Sequence, residues 1–295
     1  MKRYCLYLFI LIGISCSAEL KAQRNGTVYK GNDPAVRYTG RTLVSSDGSV
    51  AFDWVGTYLE TRFTGGRLSV KVSETGTSYY NVFVDGKLHK VVKVCGTDTL
   101  IHLVSGIDKR IHSLKIQKRS EGEFGKTTIH QFVLSGSGRL AEEPAVRTRH
   151  IEFIGNSLTC GYGTDGKHRD EPFLVETENC NLTFASMVAR YYDADYTLIA
   201  HSGRGAARNY GDSVRVSKVT MKDRMLNTFD EDLTHKWNFK GYLPDLVVIN
   251  LGSNDFSTEP HPYKSEFTKA YKQILAQLRE HYGDIPILCI YPVAC

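Results

Sequence analysis

Hydrophobic and polar positions change rhythm near the middle of this chain. From about Val36 to Leu134 short apolar stretches follow one another: Ser49–Trp54, Tyr58–Phe63, Arg67–Val72, Tyr79–Val84, Ile111–Ile116 and Thr127–Leu134. Several alternate with period two. Leu68, Val70 and Val72 fall on one face and Arg67, Ser69 and Lys71 on the other, as in a half-buried antiparallel strand. Asp85-Gly86, between Val84 and Lys87-Leu88, predicts a tight hairpin, because a two-residue turn of that hand needs positive φ. With no helical period in this stretch, residues 25–140 are expected to form an all-β sandwich of the jelly-roll kind.

Ser135–Pro144 is rich in Gly and Ser and reads as a crossing segment. Beyond it the period alternates. His150–Ile154, Ala194–Ala200, Asp245–Leu251 and Ile285–Tyr291 are short, β-branched or wholly apolar runs, the signature of strands covered on both faces. Between them Asn181–Tyr192 can be helical, and Tyr263–Tyr282 places Phe267, Tyr271, Ile274, Leu275, Leu278 and Tyr282 on one helical face. Residues 147–295 are therefore expected to form a three-layer α/β domain around a parallel sheet, of flavodoxin-like type.

Ligands of such sheets bind beyond the carboxyl ends of the strands. Three polar, glycine-containing loops fall there: Gly155-Asn-Ser-Leu-Thr159, Ser202-Gly-Arg-Gly205 and Gly252-Ser-Asn-Asp255. Taken singly, Ser157 is an ordinary helix cap, and Asn254 and Gly205 ordinary turn residues. Their succession after three consecutive strands is what turns them into a candidate site. Arg204, Arg208, Tyr210 and Tyr162 flank these loops and could line a sugar site, whereas Trp54 and Trp237 read as core or interface residues.

These blocks resemble the SGNH, or GDSL-like, hydrolase superfamily over roughly Ile151 to Cys295. The longer strings Asn156–Gly163, His201–Tyr210 and Val248–Ser257 resemble more narrowly carbohydrate esterase family 2. The resemblance puts the nucleophile on Ser157 and the oxyanion hole on the Ser157 backbone, Gly205 (with Gly203 as the alternative register) and Asn254. Asn156 stands where Asp is usual. The implied activity is a cofactor-free, metal-free serine esterase that removes acetyl groups from plant cell-wall polysaccharides such as xylan and glucomannan. A non-catalytic remnant with a carbohydrate-binding β-sandwich, and a lipid-directed SGNH esterase, are the alternatives. The family's general base is a His in a late Asp-x-x-His block, and this sequence ends at Tyr291-Pro-Val-Ala-Cys295, so the chain reads as a carboxy-terminally incomplete copy. His201 and His168 lie nearest the blocks, and no base is assigned.

Composition narrows the class. Hydrophobic residues make up 41% and charged residues 23% of 295, as in folded proteins, and a net charge of +5 without a basic run argues against a nucleic-acid partner. Met1-Lys-Arg followed by an apolar stretch to Ile14 reads as a signal peptide over residues 1–22, which implies a secreted or periplasmic protein without an integral membrane segment. The alternative is a lipoprotein anchored through Cys16. Cys160 and Cys180 could bridge in an oxidising compartment or serve as small buried side chains.

Overall fold

A computed structural model describes residues 26–142 and 145–291. The expected signal peptide and Cys16 lie outside the described residues. No described helix is long and apolar enough to cross a membrane.

The first body is an eight-stranded, curled antiparallel sheet built from β1 (Thr27–Lys30), β2 (Val36–Thr39), β3 (Leu43–Val44), β4 (Val50–Phe52), β5 (Tyr58–Val84), β6 (Lys87–Lys118), β7 (Thr127–Ser135) and β8 (Arg139–Leu140). Three runs expected as separate strands, Tyr58–Phe63, Arg67–Val72 and Tyr79–Val84, are one strand of 27 residues. The glycines between them make bulges, not turns: Gly66 sits at φ 84°, and the register against β6 shifts on either side of it. The carboxy end of β6 consequently lies between two stretches of β5, pairing Leu59 with Ile116 on one side and Val82 with Ile116 on the other. The folded-over strands enclose Phe52, Phe63, Leu68, Val82, Leu114 and Phe132, all buried. The Asp85-Gly86 hairpin is present, with φ of 50° and 76°, and closes the Val84–Lys87 pair.

The second body carries a parallel sheet of β9 (His150–Gly155), β10 (Asp195–Ala200), β11 (Leu246–Ile249) and β12 (Ile287–Cys289) in the order β10-β9-β11-β12. Alternate side chains face opposite layers. Phe153, Tyr196 and Leu198 pack with α2 (Phe184–Tyr191), whereas Ile154, Ile199, Val247 and Ile249 pack with Ile274, Leu278 and Tyr282 of α4 (Lys264–Tyr282). The apolar face expected for α4 is the one that docks. Two one-turn helices complete this body, α1 (Ser157–Cys160) and α3 (Met221–Arg224).

The two bodies interlock through buried polar side chains. Arg41, in the β2–β3 connection, is 1% exposed. It donates to the carbonyls of Met225 at 2.6 Å and Asn227 at 2.8 Å and lies 3.6 Å from Glu152 of β9. Trp54, Trp237 and Phe239 enclose its guanidinium at 5.2–6.0 Å; Trp54 is a fully buried core residue and the half-buried Trp237 lies at this contact between the bodies, both within the core-or-interface expectation. On the neighbouring strand β10, Asp195 accepts from Arg37 at 2.6 Å, Tyr58 at 2.6 Å and Arg147 at 2.8 Å.

Candidate active site

Order β10-β9-β11 puts the switch point of the sheet at β9, where loops from neighbouring strands diverge and leave a crevice. The loops after β9, β10 and β11 meet there and are tied together by side chains. Asn156 caps α1: its Oδ1 accepts from the Leu158 N–H at 3.2 Å, while its Nδ2 donates to Ser253 Oγ at 2.9 Å. The asparagine in place of the usual aspartate thus supplies a donor that a carboxylate lacks, and it links the first loop to the third. Ser157 opens α1 at the first helical position, where its backbone N–H has no intrahelical partner. Its side chain is half-buried.

Asn254 is 8% exposed, and its Nδ2 donates to the Arg204 carbonyl at 2.9 Å. One amide hydrogen fixes the side chain against the second loop and the other is left to point elsewhere. Its neighbour Asp255, the last residue of the third loop, is fully buried and accepts three consecutive backbone N–H groups, of Ala206 (3.0 Å), Ala207 (2.6 Å) and Arg208 (2.9 Å). Burial nevertheless raises its pKa above the ordinary carboxylate value, against the three donors that lower it. The sequence carried a partial signal, an acid directly after a strand-end asparagine, but its partners lie 47 to 49 residues earlier.

The two glycines of the second loop separate by geometry. The Gly205 N–H lies 3.4 Å from Asn209 Oδ1, and a Cβ at Gly205 would meet the Arg208 carbonyl at 2.0 Å and Asp255 Oδ2 at 2.5 Å, so close packing accounts for this glycine. Gly203 has φ 74° and open space where a Cβ would stand, with Tyr210 Cβ nearest at 3.9 Å. Its N–H has no acceptor among the described residues.

A cleft of about 760 Å³ opens beside Ser157 and Asn254, lined by Leu158, Tyr210, Leu251, Phe256, Phe267 and Tyr271 among others. Tyr210 therefore reaches the cleft, whereas Tyr162 stacks on Phe173 at 3.7 Å. Arg208 does not line a surface site: it is fully buried and holds the carbonyl of Val214 and the hydroxyl of Thr258. Cys160 and Cys180 are free, buried thiols, and burial pushes the pKa of both upward, so neither is bridged nor poised as a nucleophile.

Neither histidine flagged near the blocks is placed to act as base. His168 is exposed and lies 3.4 Å from Asp170. His201 is 1% exposed, hydrogen-bonds Asp230 at 2.7 Å and lies 3.5 Å from both Glu123 and Glu231. Burial would lower its pKa, but the surrounding carboxylates, Asp230 foremost, outweigh that and raise it to about 10. A histidine protonated in the folded state to about pH 10 cannot accept a proton at neutral pH; it is a structural cation. Its contribution is complete below about 6.5, the unfolded value, and is lost as pH rises toward about 10. The stability advantage of the wild-type protein over His201→Gln should accordingly be largest below pH 6.5 and shrink at alkaline pH. Urea denaturation of both proteins at pH 6, 8 and 10 checks this; a constant difference would refute it.

Comparison with known proteins agrees with this layout. Residues 38–144 match the family model for the carbohydrate esterase 2 N-terminal domain, and residues 153–295 match the GDSL-like Lipase/Acylhydrolase family. The chain is 34% identical over 258 residues to the cellulase/esterase CelE of Acetivibrio thermocellus, covering 88% of this chain and 31% of that protein. It is 33% identical over 226 residues to an acetylxylan esterase/glucomannan deacetylase of Cellvibrio japonicus, covering 74% and 61%. Among solved structures it superposes on a family two carbohydrate esterase from Clostridium thermocellum, crystallised with cellohexaose, with a TM-score of 0.82, 34% identity and coverage of 87% of this chain and 77% of that one. A family two carbohydrate esterase from Cellvibrio japonicus gives a TM-score of 0.80 at 25% identity, over 90% of this chain and 78% of that one. With both halves matched in the same order and the fold shared throughout, the chain belongs to carbohydrate esterase family 2.

Proposed function

We propose that this protein is an exported serine esterase that removes O-acetyl groups from plant cell-wall polysaccharide of the xylan or glucomannan type, with its curled β-domain a jelly-roll sandwich. The observation that carries the reading is the binding together of three strand-end loops around Ser157, through Asn156 to Ser253, Asn254 to Arg204, and Asp255 to residues 206–208. Relatives named as acetylxylan esterases, and a neighbour holding cellohexaose, support the substrate class.

In this mechanism Ser157 Oγ attacks the acetyl carbonyl and loses its proton to a base that we assign to no residue of this chain. The new oxyanion is met by the backbone N–H of Ser157, the backbone N–H of Gly203 and the second amide hydrogen of Asn254. Gly203 takes the place expected for Gly205 because its N–H is unengaged and nothing crowds its Cα. Collapse of the tetrahedral adduct breaks the bond to the sugar oxygen, which leaves as the alcohol. Water then releases acetate from the serine.

Asn254→Ala should lower kcat by about 10²–10³, the cost of one oxyanion donor, with little change in melting temperature. Acetate release from acetylated xylan and hydrolysis of an aryl acetate provide the measurement, and a loss under about threefold would remove Asn254 from the hole. The apolar lining of the cleft favours a second reading, a lipid-directed esterase. Selectivity for an aryl acetate over an aryl octanoate supports the first and the reverse order the second. Amino-terminal sequencing of secreted material, with a start near Gln23, tests export.

A further inference from the structure

Beneath the three loops lies a buried carboxylate that comes from the other body of the molecule. Glu121 follows β6 in the β-domain and is completely buried. One of its oxygens, Oε2, accepts the backbone N–H of Ser202 at 2.6 Å and the thiol hydrogen of Cys160 at 3.3 Å. Ser202 immediately precedes Gly203, the proposed oxyanion donor, and Cys160 is the last residue of the one-turn helix that Ser157 opens. A single oxygen therefore spans the nucleophile's helix and the donor's loop.

Glu121 is itself held firmly. Its backbone N–H donates to Glu178 Oε2 at 3.0 Å, and its carbonyl receives the Lys118 ammonium at 3.4 Å. Glu178 is also completely buried, and its own carbonyl receives Arg119 at 2.6 Å. The segment Lys118–Glu121 is thereby fixed to the residue 178 region before its carboxylate meets the loops. A carboxylate accepting from a backbone N–H makes a charge-assisted bond, shorter and about twice as strong as a neutral one. The Ser202 contact, at 2.6 Å, is at the short end for a backbone N–H donor.

We infer that Glu121 is a positioning residue for the esterase reaction: it sets the Gly203 N–H relative to Ser157, so the β-domain supplies part of the frame of the active site. The inference rests on the proposed hydrolase reading for its kinetic consequence and on geometry alone for its placement. Glu121 touches no reacting atom. Its role is to stop the second loop from drifting away from the nucleophile, since small displacements of a donor cost rate steeply.

Two variants of the full chain test this. Glu121→Met keeps similar volume but presents no strong acceptor, whereas Glu121→Gln retains one carbonyl oxygen for the Ser202 N–H. Glu121→Met should lower kcat for an aryl acetate about tenfold or more, the scale of a lost hydrogen bond to a charged group, with KM within about twofold. Glu121→Gln should recover most of that loss. Hydrogen exchange gives a second readout that needs no turnover: the Ser202 amide should exchange about tenfold faster or more in Glu121→Met, and close to the wild-type rate in Glu121→Gln. A Met variant with wild-type kcat and wild-type exchange overturns the inference, as does a Gln variant as impaired as the Met one. If Glu121→Met does not fold, the wild-type protein still decides, because a Ser202 amide exchanging at the rate of an open loop would show that the carboxylate does not hold it. Wild-type turnover equal to that of Ser157→Ala would remove the hydrolase reading, and the exchange result would then judge the placement of Glu121 by itself.

Discussion

With the general base in place, Ser157→Ala should reduce aryl acetate hydrolysis by roughly 10⁴–10⁶ in kcat while leaving circular dichroism and melting temperature unchanged. The size follows from the chemistry: without the hydroxyl no acyl-serine can form, and only the oxyanion donors and the cleft remain to assist attack by water. Indifference of the fold follows from the turn. Its hydrogen bonds run through Asn156, which caps α1 and reaches Ser253, and not through the Ser157 side chain. The same substitution should also stop covalent labelling by a fluorophosphonate probe. Turnover within about tenfold of wild type would take the nucleophile's role away from Ser157.

Arg41→Ala should destabilise the protein by about 3–5 kcal/mol, the largest loss expected of a residue remote from the cleft. Arg41 satisfies two carbonyls and faces Glu152, whose carboxylate is fully buried and also receives the Tyr282 hydroxyl at 3.0 and 3.1 Å. Burial already raises the Glu152 pKa, and Arg41 is the main influence lowering it. Removing the cation leaves a carboxylate in an apolar enclosure with only tyrosine partners, together with a void among three aromatic rings. Arg41→Lys should recover little, because an ammonium cannot span both carbonyls and the carboxylate in the plane the rings define. The double variant Arg41→Met, Glu152→Gln should recover part of the loss. Denaturant unfolding measures all three, and a cost under about 1 kcal/mol for Arg41→Ala would contradict the account.

Legibility divides by sequence distance. The period-two run at Leu68, Val70 and Val72, the Asp85-Gly86 turn and the apolar face of Tyr263–Tyr282 are local patterns, and each produces the element it predicts. Strand ends failed where glycine has two meanings: Gly66 bends β5 instead of ending it, and a sequence read without its partner strand contains no register shift to reveal this. The three loops were legible because strand order alone sends them to one edge. The preference proposed here for Gly203 over Gly205 was not, since it rests on Asp255 packing against Gly205 from 50 residues away. Arg41, Asp255 and Glu121 act through partners 184, 48 and 81 residues distant, and nothing local marks a charged residue as destined for burial.

The Arg41 plug has a kinetic meaning as well. Bodies joined by a thin polar contact commonly swing about their linker, and many enzymes admit and release ligands that way. Here a swing would strip Arg41 of two carbonyls and a carboxylate and pull Asp195 from Arg37 and Tyr58. Each rupture exposes an unpaired buried charge, so the open state would be too rare to carry traffic. On the proposed esterase reading, a polymeric substrate would lie along a cleft held at constant width, and selection among acetylated chains would fall on the side groups that fit past Tyr210 and not on a closing movement that wraps them.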